Sequence, residues 1–151
     1  MFEERIVGET PELDAEGVRM RFIGDRDDVR VPRSLVERME WAEETTRSNT
    51  LIDLFVAFNY GSRNEILRAA EAYSGGGEDV FSALIGDPDL RDPDLLIRTS
   101  GEQRISNFLL WQCAYSEFVF HDALWPDFSR DDYLWCLEEY SNRERRFGGR
   151  A

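Results

Sequence analysis

Lysine is absent from this chain of 151 residues; all 18 basic residues are arginine, set against 31 Asp and Glu, and the formal charge is -13. A dominant basic surface, which a duplex-wrapping binder needs in order to displace counterions from phosphates, is therefore excluded. Histidine occurs once, as His121. No Gly-x-Ser-x-Gly elbow accompanies it, so a triad hydrolase has no support. Cys113 and Cys136 have no second Cys or His at ligand spacing, which argues against a zinc site and a disulfide framework and leaves two buried thiols. No apolar run approaches the roughly 20 residues of a membrane span, and no basic segment followed by an apolar one opens the chain. Without a repeat, a low-complexity tract or a long linker, the chain is expected to form one unit over 1–151 and to be a soluble cytosolic protein.

At 42% hydrophobic and 13% aromatic, the composition lies well above that of disordered proteins and can bury a core. Arginine keeps its charge when partly desolvated and grips diphosphate oxygens in a planar fork, although a GC-rich genome produces the same bias and comes first as an explanation of the total. An acidic, lysine-free surface also suits a high-salt host.

Alternation over Val18 to Gly24 predicts a strand, with Arg19 to Ile23 at its centre. Leu35, Val36, Met39 and Ala42 fall at helical spacing, so a helix should run to about Arg47 and end at Asn49. Leu51 to Phe58, interrupted only by Asp53, is too apolar and β-branched for a surface helix, which predicts a central strand over Ile52 to Ala57. Ser62-Arg-Asn-Glu65 has the capping-box pattern and should open a helix to about Tyr73. A short helix near Val80 to Ile85, a strand over Leu95 to Ile97, a helix over Phe108 to Ala114, an extended Glu117 to Phe120 and a last helix capped at Ser129 complete the reading. The opening segment to Glu16 is polar and carries no assignment. Strands alternating with helices make the fold class α/β, a mainly parallel sheet sandwiched by helices. Ligands of such sheets sit beyond the carboxyl ends of the strands, which points to Gly24-Asp-Arg26, Asn59 to Arg63 and Arg98 to Asn107.

Arg98-Thr-Ser-Gly-Glu-Gln-Arg-Ile-Ser-Asn107 is the densest constellation. Two arginines, the hydroxyls of Thr99, Ser100 and Ser106, and a glycine that lets backbone amides approach a ligand are the parts of a diphosphate cradle. A surface Arg–Glu loop uses the same residues. Glu117, at the mouth of the next apolar stretch, reads on spacing alone as a solvated carboxylate. Asp87-Pro-Asp-Leu-Arg-Asp-Pro-Asp94 fails as a calcium loop, because Asp92 stands where the turn glycine belongs and Arg98 where the bidentate glutamate belongs. Asp25-Arg-Asp-Asp28 lacks the helical setting and second copy of an aspartate-rich prenyl site. The aromatic group around Trp111, Phe118 and Trp125 reads as core or dimer interface.

Asp94-Leu-Leu-Ile-Arg-Thr-Ser-Gly-Glu-Gln-Arg-Ile-Ser-Asn-Phe-Leu-Leu-Trp-Gln112 closely resembles the signature of the cis-prenyltransferases, the undecaprenyl diphosphate synthase family. The resemblance continues through Ala114 to Glu117, Leu124 to Phe128 and Arg143 to Gly149, and upstream through Arg21 to Asp25 and Ala57 to Arg63. It implies that Arg98, Arg104 and Ser106 hold the diphosphate of isopentenyl diphosphate, with Glu102 in support. It implies that Glu117 is a carboxylate ligand for Mg²⁺, supplied across a dimer interface, and that Arg146 and Gly148 belong to an Arg-x-Gly element reaching the neighbouring subunit's site. The implied activity is condensation of isopentenyl diphosphate with an allylic prenyl diphosphate to a Z-polyprenyl diphosphate, with Arg98 and Glu117 as the catalytic pair. The implied partners are a second copy in a homodimer or a cis-prenyltransferase subunit in a heteromer, with no nucleic acid. The implied setting is cytoplasmic, at the membrane periphery where the lipid product leaves.

One family block has no counterpart here. The His-x-x-x-Met-Asp-Gly segment, which holds the allylic diphosphate and supplies a Mg²⁺-binding aspartate, does not occur in these residues. The expectation is therefore the C-terminal portion of the fold, either truncated or completed by a separate chain, and inactive alone. The rival is a non-catalytic partner subunit.

Overall fold

The structure, a computed structural model, describes residues 1–143 of the chain. They fall into two compact units, Met1–Leu90 and the residues from Arg91 onward. The first contains α1 (Phe2–Ala15), β1 (Val18–Ile23), α2 (Arg33–Thr46), β2 (Ile52–Ala57), α3 (Ser62–Ala72) and α4 (Glu78–Ser82); the second contains β3 (Leu95–Arg98), β4 (Glu117–Phe120) and α5 (Arg130–Ser141). Parallel strands flanked by helices are the α/β class expected from the alternation.

In the first unit β1 and β2 pair in parallel, Val18 opposite Ile52 and Ile23 opposite Ala57, with α2 as the crossover. Side chains alternate across a strand. Met20 and Phe22 therefore share one face with Leu54 and Val56 and form a core with Ile6 of α1 and with Leu35, Met39 and Ala42 of α2. The opposite face carries Arg19 and Arg21, which pair with Asp53, Asp87 and Asp89. The acidic loop after α4 thus spends two of its carboxylates on strand arginines.

The outer edge of β1 carries no strand among the described residues and is closed by side chains instead. The Met20 N–H donates to Thr46 Oγ1 (2.9 Å) and the Phe22 N–H to Glu43 Oε1 (2.8 Å), while the carbonyls of Val18 and Phe22 accept from Asn49 Nδ2 (3.0 Å) and Arg26 Nη2 (2.6 Å). Unpaired strand groups invite pairing with another chain, and this edge has been taken out of that reaction. β2 has β1 as its one strand neighbour among the described residues, and Leu51 and Ile52 are exposed, so the central position expected for it is not filled here.

In the second unit β3 and β4 also pair in parallel, Leu95 opposite Glu117 and Arg98 opposite Phe120. The helix expected over 108–114 is only a 3-10 turn, Gln112–Tyr115. Its start is blocked because Ser106, Asn107 and Leu109 adopt positive φ (49°, 63° and 45°), which a right-handed helix cannot contain. At α5 the capping box forms: the Asp132 N–H donates to Ser129 Oγ (3.2 Å) and the Ser129 N–H to Asp132 Oδ2 (2.7 Å).

Candidate functional site

Arg98 stands at the carboxyl end of β3, half-buried, and among the described residues no carboxylate lies within ion-pair distance of it. Immediately beyond it the chain enters the left-handed region at Ser100 (φ 73°) and Gly101 (φ 66°). The turn leaving β4 holds this loop: the Ser100 N–H donates to Ala123 O (2.8 Å), the Gly101 N–H to His121 O (3.0 Å) and the His121 N–H to Arg98 O (2.8 Å). Glu102 and Arg104 form an ion pair at 2.5 Å with the Arg104 side chain 67% exposed. Groups of this kind interact weakly and exchange partners readily, so the pair leaves Arg104 able to meet another anion. Ser106 is exposed at its left-handed turn.

Glu117 opens β4, and its carboxylate accepts from Arg143 Nη1 at 2.8 Å. Arg143 lies beyond α5, 26 positions from Glu117, and no local spacing in the sequence connects the two. Arg146 and Gly148 lie outside the described residues. Among the described residues no three His, Cys, Asp or Glu side chains come together as a metal nest. Mg²⁺ does not require one, since it keeps several waters and takes one or two carboxylates together with phosphate oxygens. Glu117, a single partly exposed carboxylate, fits as one such ligand.

The first unit offers a contrasting cleft. The strand ends Gly24–Asp25 and Asn59–Gly61 meet with Glu65 and Arg68 around a space of about 340 Å³. Gly24 has φ 127°, and a Cβ there would stand 1.9 Å from Phe58 O, so only glycine lets the two strand exits close. The charges of this cleft are satisfied internally: Arg68 pairs with Asp25 at 2.7 Å and the Tyr60 hydroxyl donates to Glu65 at 2.6 Å. Nearby, the Arg30 guanidinium and N–H hold the Asp28 carboxyl well below the usual carboxylate range. The Asp25 to Asp28 run thus meets arginines.

Burial pushes both the Cys113 and Cys136 thiols up, as befits inert core cysteines. Among the described residues no helix is long and apolar enough to cross a membrane.

Residues 1–148 match the family described as "Putative undecaprenyl diphosphate synthase". An isoprenyl transferase of Thermotoga maritima is 45% identical over 99% of this chain and 67% of its own length. The ditrans,polycis-undecaprenyl-diphosphate synthase ((2E,6E)-farnesyl-diphosphate specific) of Micrococcus luteus is 45% identical over 92% of this chain and 58% of its own. Among solved structures, lavandulyl diphosphate synthase from Lavandula x intermedia in complex with dimethylallyl diphosphate matches with a TM-score of 0.91 and 32% identity, over 98% of this chain and 68% of that one. A probable undecaprenyl diphosphate synthase from Campylobacter jejuni matches with a TM-score of 0.86 and 31% identity, over 97% and 71%. The chain therefore spans about three fifths to two thirds of the length of these curated relatives.

Proposed function

This chain belongs to the undecaprenyl diphosphate synthase family, and on that premise we propose that its second unit carries the isopentenyl-diphosphate part of a cis-prenyltransferase site. The observation that carries the reading is Arg98: a half-buried guanidinium at a strand end with no carboxylate partner among the described residues, beside a loop whose conformation only a specific set of backbone bonds sustains. Such a cation is set to receive an anion in a two-point fork. Arg104 exchanges Glu102 for a second diphosphate oxygen, and Ser106 adds its hydroxyl. Arg146 and Gly148 belong to the same proposal by resemblance alone. Mg²⁺ held by Glu117 and diphosphate oxygens would neutralise charge on the substrates. In the reaction, the alkene of isopentenyl diphosphate attacks the allylic carbon, the allylic C–O bond breaks to release diphosphate, and a proton is lost to leave a Z double bond. The arginines contribute by stabilising diphosphate charge in a fixed position.

The His-x-x-x-Met-Asp-Gly segment does not occur in these 151 residues, so the allylic diphosphate must be held by further sequence, in the same polypeptide or in a partner. Half of a two-substrate site can bind but cannot orient the reacting carbons. Self-association as a homodimer draws support from the exposed Tyr115, Leu124 and Trp125 in this unit. Calorimetry with isopentenyl diphosphate tests the reading. Arg98→Ala and Arg104→Ala should each weaken binding by about 1.5–3 kcal/mol, the range for hydrogen bonds to charged groups, and Arg91→Ala should leave it unchanged. Equal losses at all three positions would show that net charge, not a cradle, is being measured. Turnover should appear only when an allylic segment is supplied and should vanish in Glu117→Gln; binding with no turnover in any such complement would favour the non-catalytic partner subunit.

A further inference from the structure

His121, the single histidine, has no part in the reading above, yet its side chain closes the turn from which the cradle loop hangs. Its Nδ1 accepts from the Ala123 N–H at 3.1 Å, so the ring proton belongs on Nε2, which lies 3.4 Å from Asp132 Oδ1. The other oxygen of Asp132 accepts from the Ser129 N–H (2.7 Å) and hydroxyl (2.6 Å), which anchors that carboxylate in the cap of α5. Phe128 and Trp135 present their rings at steep angles to the imidazole, with centroids 5.4 and 5.3 Å away. The ring is therefore fixed in position and in tautomer by groups on all sides.

The turn it closes, residues 121–123, is the same one whose two carbonyls hold the Ser100 and Gly101 N–H groups in their left-handed conformation, and whose His121 N–H binds Arg98 O. A left-handed non-glycine residue such as Ser100 is strained and persists only where its surroundings over-determine it. We propose that His121 is a positioning residue for the diphosphate cradle: by accepting the Ala123 N–H it holds the β4 exit turn that sets the backbone of Arg98 to Gly101, and α5 holds His121 in place through Asp132. This rests on the diphosphate reading for its consequence, but not for its geometry. The backbone of Arg98 is then set by the imidazole of the turn leaving β4, with no direct contact between the two side chains required.

Two variants separate this role from simple packing. His121→Phe keeps a ring between Phe128 and Trp135 but removes the acceptor, whereas His121→Asn keeps an acceptor atom at the Nδ1 position and removes the ring. In the full chain, amide exchange at Ser100 and Gly101 should accelerate about three- to tenfold in the Phe variant, the loss of one net hydrogen bond, and stay near wild type in the Asn variant. Isopentenyl diphosphate binding by calorimetry should follow the same order. Nitrogen NMR of the one histidine should find Nδ1 unprotonated and Nε2 protonated. Unchanged exchange in His121→Phe, equal acceleration in both variants, or the opposite tautomer would each overturn the proposal. The tautomer arm stands even if neither variant folds. A wild-type chain that fails to bind isopentenyl diphosphate would sink the diphosphate reading alone, because exchange at Ser100 and Gly101 still decides whether His121 sets the loop.

Discussion

Between β1 and β2 the chain crosses over through α2, a regular helix of 14 residues, whereas between β3 and β4 it crosses through residues 99–116, with no regular element longer than a 3-10 turn of 4 residues. The helical crossover satisfies its own backbone and buries Leu35, Met39 and Ala42 against the strands. The irregular one holds Ser100, Ser106, Asn107 and Leu109 at positive φ and buries Leu109 and Cys113. Charge follows the same division. Arg19, Arg21 and Arg26 of the first unit are engaged by carboxylates, while Arg98 of the second has none among the described residues. One parallel pair therefore spends its arginines on the fold, and the other keeps one at the strand end with its loop held in a costly conformation, where strain is a pointer to function.

The sharpest break of this contrast is in the first core. Met39 is fully buried, and Met39→Ala should cost about 2–5 kcal/mol through lost transfer energy and the cavity left behind, read from urea unfolding monitored by circular dichroism. A loss below about 1 kcal/mol would mean that α1 and α2 close over the gap and that the helical crossover is less tightly packed than its burial indicates.

Next in size is a matched pair of glycines. Both Gly24 and Gly101 have positive φ, but a Cβ at Gly24 meets the Phe58 carbonyl at 1.9 Å, whereas at Gly101 its nearest neighbour is Asp122 Oδ1 at 3.4 Å. Gly101→Ala should therefore cost only the backbone penalty of about 1–2 kcal/mol, and Gly24→Ala should cost clearly more because two strand exits must separate. Equal losses in the same unfolding assay would remove the distinction between a steric glycine and a purely conformational one.

How far the sequence could foretell this depended on whether a feature was local. β2 was legible because Leu51 to Phe58 is apolar at every position but Asp53, which excludes a surface helix, and the position of Arg98 at a strand end was legible because an apolar run stops there. α1 was not legible: Gly8 and Pro11 lie inside it, and its helix rests on packing of Ile6 and Leu13 against the core rather than on propensity. α4 begins two residues before the expected Val80 for want of a strong start signal. Ser62 and Glu65 fit the capping pattern better than Ser129 and Asp132, yet Gly61 occupies the cap position, Ser62 is buried within the helix and Glu65 accepts from Tyr60. The Glu117–Arg143 pair and the support His121 gives to Ser100 and Gly101 join residues about twenty or more positions apart, and periodicity carries no such information.

The smallest effect is a pH dependence shared by one carboxylate in each unit. The hydroxyl and N–H of Ser129 lower the pKa of Asp132, and Arg30 does the same for Asp28. An aspartate in the unfolded chain titrates near about 3.9. Since the folded value is depressed in each case, the unfolded state takes up protons first on acidification; the contribution is complete above the unfolded pKa and is lost as pH falls through the folded one. The stability gap between wild type and Asp132→Asn, measured by urea unfolding, should therefore be widest at neutral pH and shrink below about pH 4, with Asp28→Asn behaving alike. Both carboxylates are half-buried and keep part of their surface in solvent, so salt should narrow each gap only modestly. A gap that stays constant or widens on acidification would mean that the cap of α5 holds without its charge, and that Asp132 serves the second unit through His121 rather than through the helix it opens.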